Sequence, residues 1–359
     1  MIVNILMILM AVGSALGGLD YIFGNRLGLG AKFEEGFHLL GPLAMVQAGI
    51  ICLSVPFAQM LGPAVRSLYL ALGQDPAMFG SLLAIDMGGY QIAMEFAQDT
   101  AVGRFSGIVA ASMLGCTVVY TLPVGMGLLS GAKRDAFSKG ILYGLIALPC
   151  ALLVGALLSG LPVFSSLALC LPVILLSGAM ILGLLFIPTA VSRFFRGLAW
   201  VIRAVAATGI ILGSVSYMTG WEILPGLIPL TEAMQTVCAI CIVLLGSLPM
   251  AELLNRALRK PLASFSKKAR VSEAALVNLL VCLVSVTPAL ASLKTMNDRE
   301  ITLNTAFSVC AASAFAVHLG FALAVEQDLA IPMLVSKLLG GALAILVMLA
   351  AENRMYKRK

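Results

Sequence analysis

Asp86 is the residue in this sequence with the most chemistry to offer. It stands in Ile-Asp-Met-Gly-Gly-Tyr, in the middle of the segment 77–96 (AMFGSLLAIDMGGYQIAMEF), which is apolar at both ends. A carboxylate in hydrocarbon costs about 2.5–3.5 kcal/mol on insertion scales, so at that depth it normally has a partner and a task. Gly88 and Gly89 permit a sharp backbone turn and the close approach of a ligand. Tyr90 offers a hydroxyl and an aromatic face to a cation. The bland alternative is that Asp86 caps a short helix and binds nothing.

A second polar set lies in residues 273–293 (EAALVNLLVCLVSVTPALASL), where Thr287-Pro288 breaks an apolar run. Asn278, Ser285 and Thr287 suit a substrate hydroxyl, and hydrogen bonds between helices account for them equally well. Glu95, near the exit of the first segment, and Glu232, early in a later apolar run, are candidates to line a vestibule. His318 is alone in an apolar stretch; a proton relay is one role for it, a satisfied interior histidine the commoner one.

The elements that must hold these residues are read from composition. Hydrophobic residues make up 60% of the 359 and charged residues 11%, far from the roughly 25% charged of a soluble domain. A span needs about 20 apolar residues. Runs of that kind are expected at 1–22, 39–62, 104–130, 139–161, 164–187, 203–219, 227–250, 302–325 and 330–351. The N-terminal run lacks a positive leader and reads as the first span, not as a cleaved signal. Segments 77–96 and 273–293 have a breaker near the centre and read as re-entrant hairpins of two half-helices. Irregular backbone at membrane depth is tolerated where protein or a water-filled cavity surrounds it.

The fold expected is therefore an all-α polytopic membrane protein with about nine full spans and two broken re-entrant hairpins; eleven full spans is the alternative. If both hairpins re-enter, the basic residues Lys133, Arg134 and Lys139, Arg193, Arg196 and Arg203, the stretch Arg256 to Arg270, and the terminal Lys357-Arg358-Lys359 all fall on one side. That side is cytoplasmic by the positive-inside rule. The N-terminus then faces out and the C-terminus in. The net charge of +6 is thus a topology signal, and no nucleic-acid partner is expected.

Each half reads span, span, hairpin, span, span: an N-terminal repeat at 1–163, a linker span at 164–188, a C-terminal repeat at 189–351 and a basic tail at 352–359. Ala58-Gln-Met-Leu61 is echoed by Ala251-Glu-Leu-Leu254, and Ala110-Ala-Ser112 by Ala311-Ala-Ser313, at similar offsets. Inverted repeats with paired broken helices are the signature of secondary transporters.

Enzyme motifs are missing: there is no HExxH, no GxGD pair, no P-loop and no GxSxG elbow. Transport is then passive or gradient-driven, with no cofactor and no metal. Cys238 and Cys241 form a CxxC inside an apolar run without a second pair, and read as buried apolar side chains. A gated channel or facilitator for a small amine is the nearest rival, an intramembrane enzyme using Asp86 or His318 a remote one. A homo-oligomer is left open, since nothing in the chain marks an interface.

Gly28-Leu-Gly-Ala-Lys-Phe-Glu-Glu-Gly-Phe37, Gly49-Ile-Ile-Cys-Leu53, Asp75-Pro-Ala-Met-Phe79 and Asp86-Met-Gly-Gly-Tyr90 together resemble the ethanolamine-utilisation permease family, EutH. The resemblance is densest in the first hundred residues. It implies uptake of ethanolamine across a bacterial cytoplasmic membrane, feeding a cobalamin-dependent ammonia lyase inside the cell. Ethanolamine, with one ammonium and one hydroxyl, suits one buried carboxylate with hydroxyls and an aromatic ring nearby. An inside-negative potential favours entry of such a cation by about 2.3 kcal/mol per 100 mV.

Overall fold

The computed structural model describes residues 2–269 and 271–356, with side chains for all of these except residues 2, 3, 86, 262–269 and 354–356. Hydrocarbon offers the backbone no hydrogen bonds, so an apolar chain of this composition must satisfy its own amides and folds into helices. Among the described residues, eight helices are long and apolar enough to cross a membrane. They are α1 (Ile2–Ile22), α2 (Gly30–Ala71), α4 (Thr100–Leu128), α5 (Ala132–Leu158), α6 (Val163–Phe186), α7 (Pro188–Thr219), α8 (Leu230–Ala269) and α13 (Ala330–Tyr356). Between them lie the shorter α3 (Gly89–Phe96), α9 (Glu273–Val284), α10 (Val286–Ser292), α11 (Asp298–Ala311) and α12 (Val317–Val325).

The centre of the molecule is α4, in which every residue from Phe105 to Val119 is buried. Most of it is wound as a π-helix, over Phe105–Gly115 and Thr117–Thr121, and α2 contains a π turn at Ala44–Ala48. Such wide turns are rare and concentrate at functional sites. α11 and α13 pack on α5, and α13 also packs on α4. At the periphery, α6 and α7 turn Phe164, Leu182, Phe186, Trp200 and Tyr217 outward, as helices in lipid do.

Two helix crossings are made backbone against backbone. Where α2 meets α7, a Cβ added at Gly49 would overlap the carbonyl of Ala206, and one at Gly209 would overlap the carbonyl of Gly49. Where α1 meets α8, a Cβ at Gly246 would overlap the carbonyl of Met10, and one at Gly13 the carbonyl of Gly246. Without a hydrophobic drive between helices in lipid, small residues that let backbones touch are a main source of helix association.

Both broken segments begin and end at the same place. In the first, Asp75 accepts from Ala77 N at 2.8 Å on the way in and from Asp99 N at 2.9 Å on the way out. In the second, Glu300 accepts from Ser272 N at 2.8 Å and from Asn297 N at 3.2 Å. The arms are short. The 3-10 helix Pro76–Leu82 and α3 span about 14 and 12 Å at 2.0 and 1.5 Å per residue, and α9 about 18 Å. None reaches across a hydrocarbon core of about 30 Å.

Three details differ from the sequence-based expectation; the smallest is that Cys238, read as buried, is exposed on α8 while Cys241 is buried. Residues 302–325 do not form one span: α11 ends at Ala311, residues 312–316 are unwound with Ser313 at φ +54°, and α12 starts at Val317. In the second hairpin the break falls at Ser285 (φ −150°, ψ 125°), not at Thr287-Pro288. Pro288 lies in the first turn of α10, where a missing N–H costs the helix nothing.

Candidate functional site

The first hairpin reaches its tip through Leu83 and Ala84 in extended conformation, then a single 3-10 turn, Ile85–Met87. Gly88 follows at φ +84°, a conformation that a side chain disfavours, and a Cβ there would also overlap Ile50 on α2. Glycine is thus required at 88 twice over, by dihedral and by contact. Gly89 lies against the Ala111 side chain of α4, and Gly115 of α4 sits under the Leu83 carbonyl. The Asp86 side chain lies outside the described residues, but the turn that carries it is fixed on three sides.

Those three sides are the π turn of α2, the π-helical part of α4, and α12. Two of them present polar groups the sequence reading ranked low or passed over. Gln47, in the π turn, is 0% exposed, and neither its Nε2 nor its Oε1 has a hydrogen-bond partner among the described residues. It shares a helix face with Ile50, which touches Gly88. His318 is 1% exposed, and its Nδ1 likewise has no partner among the described residues. Its face of α12 is set by Phe321, one turn on, whose ring meets that of Tyr90 edge-on at 6.1 Å between centroids. A buried amide without partners forfeits about 1–3 kcal/mol, a cost kept where a ligand supplies the bonds.

The Tyr90 hydroxyl is already engaged. It donates to Glu326 Oε1 at 2.7 Å, and Arg104 holds the other oxygen of Glu326 through Nε at 2.8 Å and Nη2 at 2.6 Å. The same Nη2 reaches Asp328 at 2.6 Å. This clasp ties the first hairpin, the start of α4 and the end of α12 together at one end of the molecule. The Tyr90 hydroxyl belongs to the clasp, and its ring packs edge-on against Phe321.

The second hairpin is anchored to the unwound segment. Ser313 N donates to Cys282 O at 2.8 Å, Phe315 N to Leu283 O at 2.8 Å, and Val286 N to the Ser313 hydroxyl at 3.4 Å. Asn278 spends both amide hydrogens inside the fold, on Ala289 O and Asn304 Oδ1, each at 3.1 Å. Thr287 pairs with the Tyr120 hydroxyl at 2.6 Å, and Ser285 occupies the tip itself. Asn278 therefore sits between the two arms of its hairpin, bonded to Ala289 O, while Gly88, Gly89, Tyr90 and His318 gather around the first tip and Ser285 and Thr287 at the second. The broken α11–α12 helix runs between them, pairing with one tip at 313–315 and flanking the other at His318. Glu95 is half-buried in the last turn of α3, and Glu232 is exposed in the first turn of α8.

One more charge lies inside. Lys337 of α13 is 0% exposed and donates from Nζ to the carbonyl of Ser112, in the π-helical part of α4, at 2.6 Å. A single base in the apolar run 330–351 was its only mark in the sequence, as one of two amides in 39–62 was for Gln47.

The family profile described as "Ethanolamine utilisation protein, EutH" matches residues 2–351. A probable ethanolamine permease EutH of Listeria monocytogenes is 37% identical over 356 residues, covering 99% of this chain and 95% of that one. The uncharacterized protein YxeR of Bacillus subtilis is 36% identical over 91% of this chain and 89% of its own length. A probable ethanolamine permease EutH of Escherichia coli is 36% identical over 90% of this chain and 86% of its own. No solved structure matches. The whole chain, and not only its first hundred residues, carries the likeness: it belongs to the EutH family of ethanolamine utilisation proteins.

Proposed function

We propose that this chain is a permease for ethanolamine, which it carries as the protonated cation at a site around the tip of the first hairpin. The observation that carries this reading is the turn Ile85–Met87, at the buried end of a half-length hairpin and enclosed by the Gln47 and His318 faces of two other helices. Asp86 pairs with the ammonium, the backbone at Gly88 and Gly89 leaves it room, and the Tyr90 ring faces the cation. Gln47 and His318 meet the hydroxyl, alongside Ser285 and Thr287 from the second tip. An ammonium with three donors and a hydroxyl needs such a mixed set.

The same reading assigns the chain two inverted repeats around α6, with the N-terminus outside and the C-terminus in the cytoplasm. The paired glycine crossings support it, since Gly13 and Gly209 take equivalent places, as do Gly49 and Gly246. So does the Ala-Ala-Ser echo, whose first copy falls in the π-helix of α4 and whose second ends in the unwound segment after α11. Each repeat then contributes one hairpin from its own side of the membrane. Uptake is uniport, drawn inward by the membrane potential, with no cofactor.

The test is uptake of labelled ethanolamine into proteoliposomes with and without an inside-negative potential. Saturable uptake that rises with the potential is expected. Loss of the charge pair in Asp86→Asn is worth about 3 kcal/mol, so uptake at low substrate should fall about 100-fold in a folded protein. Near-normal uptake by that variant removes Asp86 from the site; uptake that does not saturate makes the protein a channel.

A further inference from the structure

We propose that the wedge where α2 crosses α7 binds one anionic phospholipid, with an acyl tail in the groove against the first hairpin and the headgroup held by Arg196 and Arg203.

The groove follows from the crossing. Gly49 and Gly209 bring the two backbones together. Beside that contact lies a cavity of about 720 Å³, lined by Gln59 and Met60 of α2, by Trp200, Ala204 and Thr208 of α7, and by Leu224. Leu53, Phe57, Val201 and Val205 line it too, and they also line a second cavity of about 100 Å³ directly behind it. Every side chain around the second cavity is hydrocarbon. Among them are Ile50, which touches Gly88, and Phe79, Leu83 and Ile92 from the two arms of the first hairpin. Such walls do not hold water; hydrocarbon is what they take.

The membrane frame identifies the occupant. The two tryptophans of the chain, Trp200 and Trp221, are both exposed, one within α7 and one just past its end. From Trp200 to Thr219, the last residue of α7, the helix rises about 28 Å, close to a hydrocarbon core of about 30 Å. Exposed tryptophans favour the two interfaces, so α7 enters the core at Trp200. The turns before it carry Arg193 and Arg196, both exposed. Arg196 stands on the same ridge as Trp200, Ala204 and Thr208, at steps of four residues. Arg203, one turn past Trp200, bends back: its Nε donates to the Ala199 carbonyl at 3.3 Å. None of the three arginines meets a carboxylate among the described residues. Two guanidinium groups without acidic partners thus flank the mouth of an apolar groove at headgroup level. That is the complement of a phosphate with an acyl chain below it. Trp200 to Thr208 spans about 12 Å of α7, within the roughly 15 Å of one leaflet's hydrocarbon. The tail then packs under both arms of the hairpin that carries the proposed substrate site, and becomes part of the wall against which that hairpin works.

Native mass spectrometry of the full chain in detergent, titrated with dioleoyl phosphatidylglycerol or dioleoyl phosphatidylcholine, tests this. Each arginine at the headgroup favours an anion about fivefold, so the pair gives about 25-fold. One phosphatidylglycerol per chain is expected, bound about 25-fold more tightly than phosphatidylcholine. In the double variant Arg196→Gln/Arg203→Gln the two lipids should bind alike. Ala204→Phe, which fills the groove, should weaken phosphatidylglycerol binding at least tenfold. Thr208→Phe, at the exposed far end, should do the same and serves if Ala204→Phe does not fold. Equal binding of the two lipids by the unaltered protein, or an unchanged preference in the arginine variant, would overturn the proposal. Binding lost in the arginine variant but kept in the groove variants would reduce the site to a charged surface and also overturn it. So would a dimer that the groove variants dissociate, since the groove would then belong to a second copy of the chain. No arm of the test depends on transport, so failure of the permease reading leaves it intact.

Discussion

Tyr90→Phe separates the clasp from the substrate site, because it removes one oxygen and leaves the ring. The ring keeps its edge-on contact with Phe321 at 6.1 Å and its face for a cation. What is lost is a single O–H···O⁻ bond of 2.7 Å to Glu326, whose other oxygen stays with Arg104. A hydrogen bond to a charged group contributes about 1.5–3 kcal/mol when buried. Tyr90 is half-exposed and water can replace part of the bond, so about 1 kcal/mol is the expected loss, or about fivefold in the ratio of clasped to released hairpin. Native-state hydrogen exchange of the α3 amides reads that ratio directly, and their protection should fall about fivefold. The KM for ethanolamine should stay within about twofold, since the ring is retained. Unchanged protection would refute the clasp as the restraint on the hairpin. A KM raised tenfold or more would show the hydroxyl to be a substrate ligand after all.

Other expectations follow from single contacts. Gln47→Leu should raise the melting temperature, by removing a buried amide that has no partner among the described residues, worth about 1–3 kcal/mol, while uptake falls; a lower melting temperature would refute the claim that the amide is kept for a ligand. Asn278→Ala should destabilise the protein by about 1–3 kcal/mol, because two buried acceptors lose their donor, with little change in KM; a large KM effect would move Asn278 into the site. Gly209→Ala and Gly246→Ala should each cost about 1–3 kcal/mol by forcing helices apart. Gly197→Ala, with open space at its Cβ, should cost nothing in a thermal melt, and equal melting of all three would dismiss the crossings.

The spans were legible because lipid imposes one rule on every residue of a run, and eight of the nine expected runs coincide with helices of crossing length. The break at 312–316 was not, because Ala-Ala-Ser-Ala-Phe-Ala contains no proline or glycine. Its unwinding is driven from outside, by the Cys282 and Leu283 carbonyls that take the Ser313 and Phe315 amides. The reverse error occurred at Thr287-Pro288, where a strong local breaker marks a helix start one turn past the true break. Asp86, Gly88 and Tyr90 announced themselves by type and spacing. Gln47 and Lys337 did not, since a few polar residues in a run of over twenty hardly alter its hydropathy, and only the packing brings Gln47 to the first tip and Lys337 onto the Ser112 carbonyl.

The glycine crossings also govern how the molecule can move. At each, main chain rests on main chain with no side chain between, so the two helices cannot approach and have no rotamers to rearrange as they swivel. Such a contact is a bearing: stiff along the line of approach, slack in rotation. With two bearings, one joining α2 to α7 and the other α1 to α8, a rigid group that keeps both has one freedom left, a turn about the line through them. Large strokes then require no sliding of interlocked surfaces, and the stroke of the moving part at the hairpin tips is set by their lever arm from that axis.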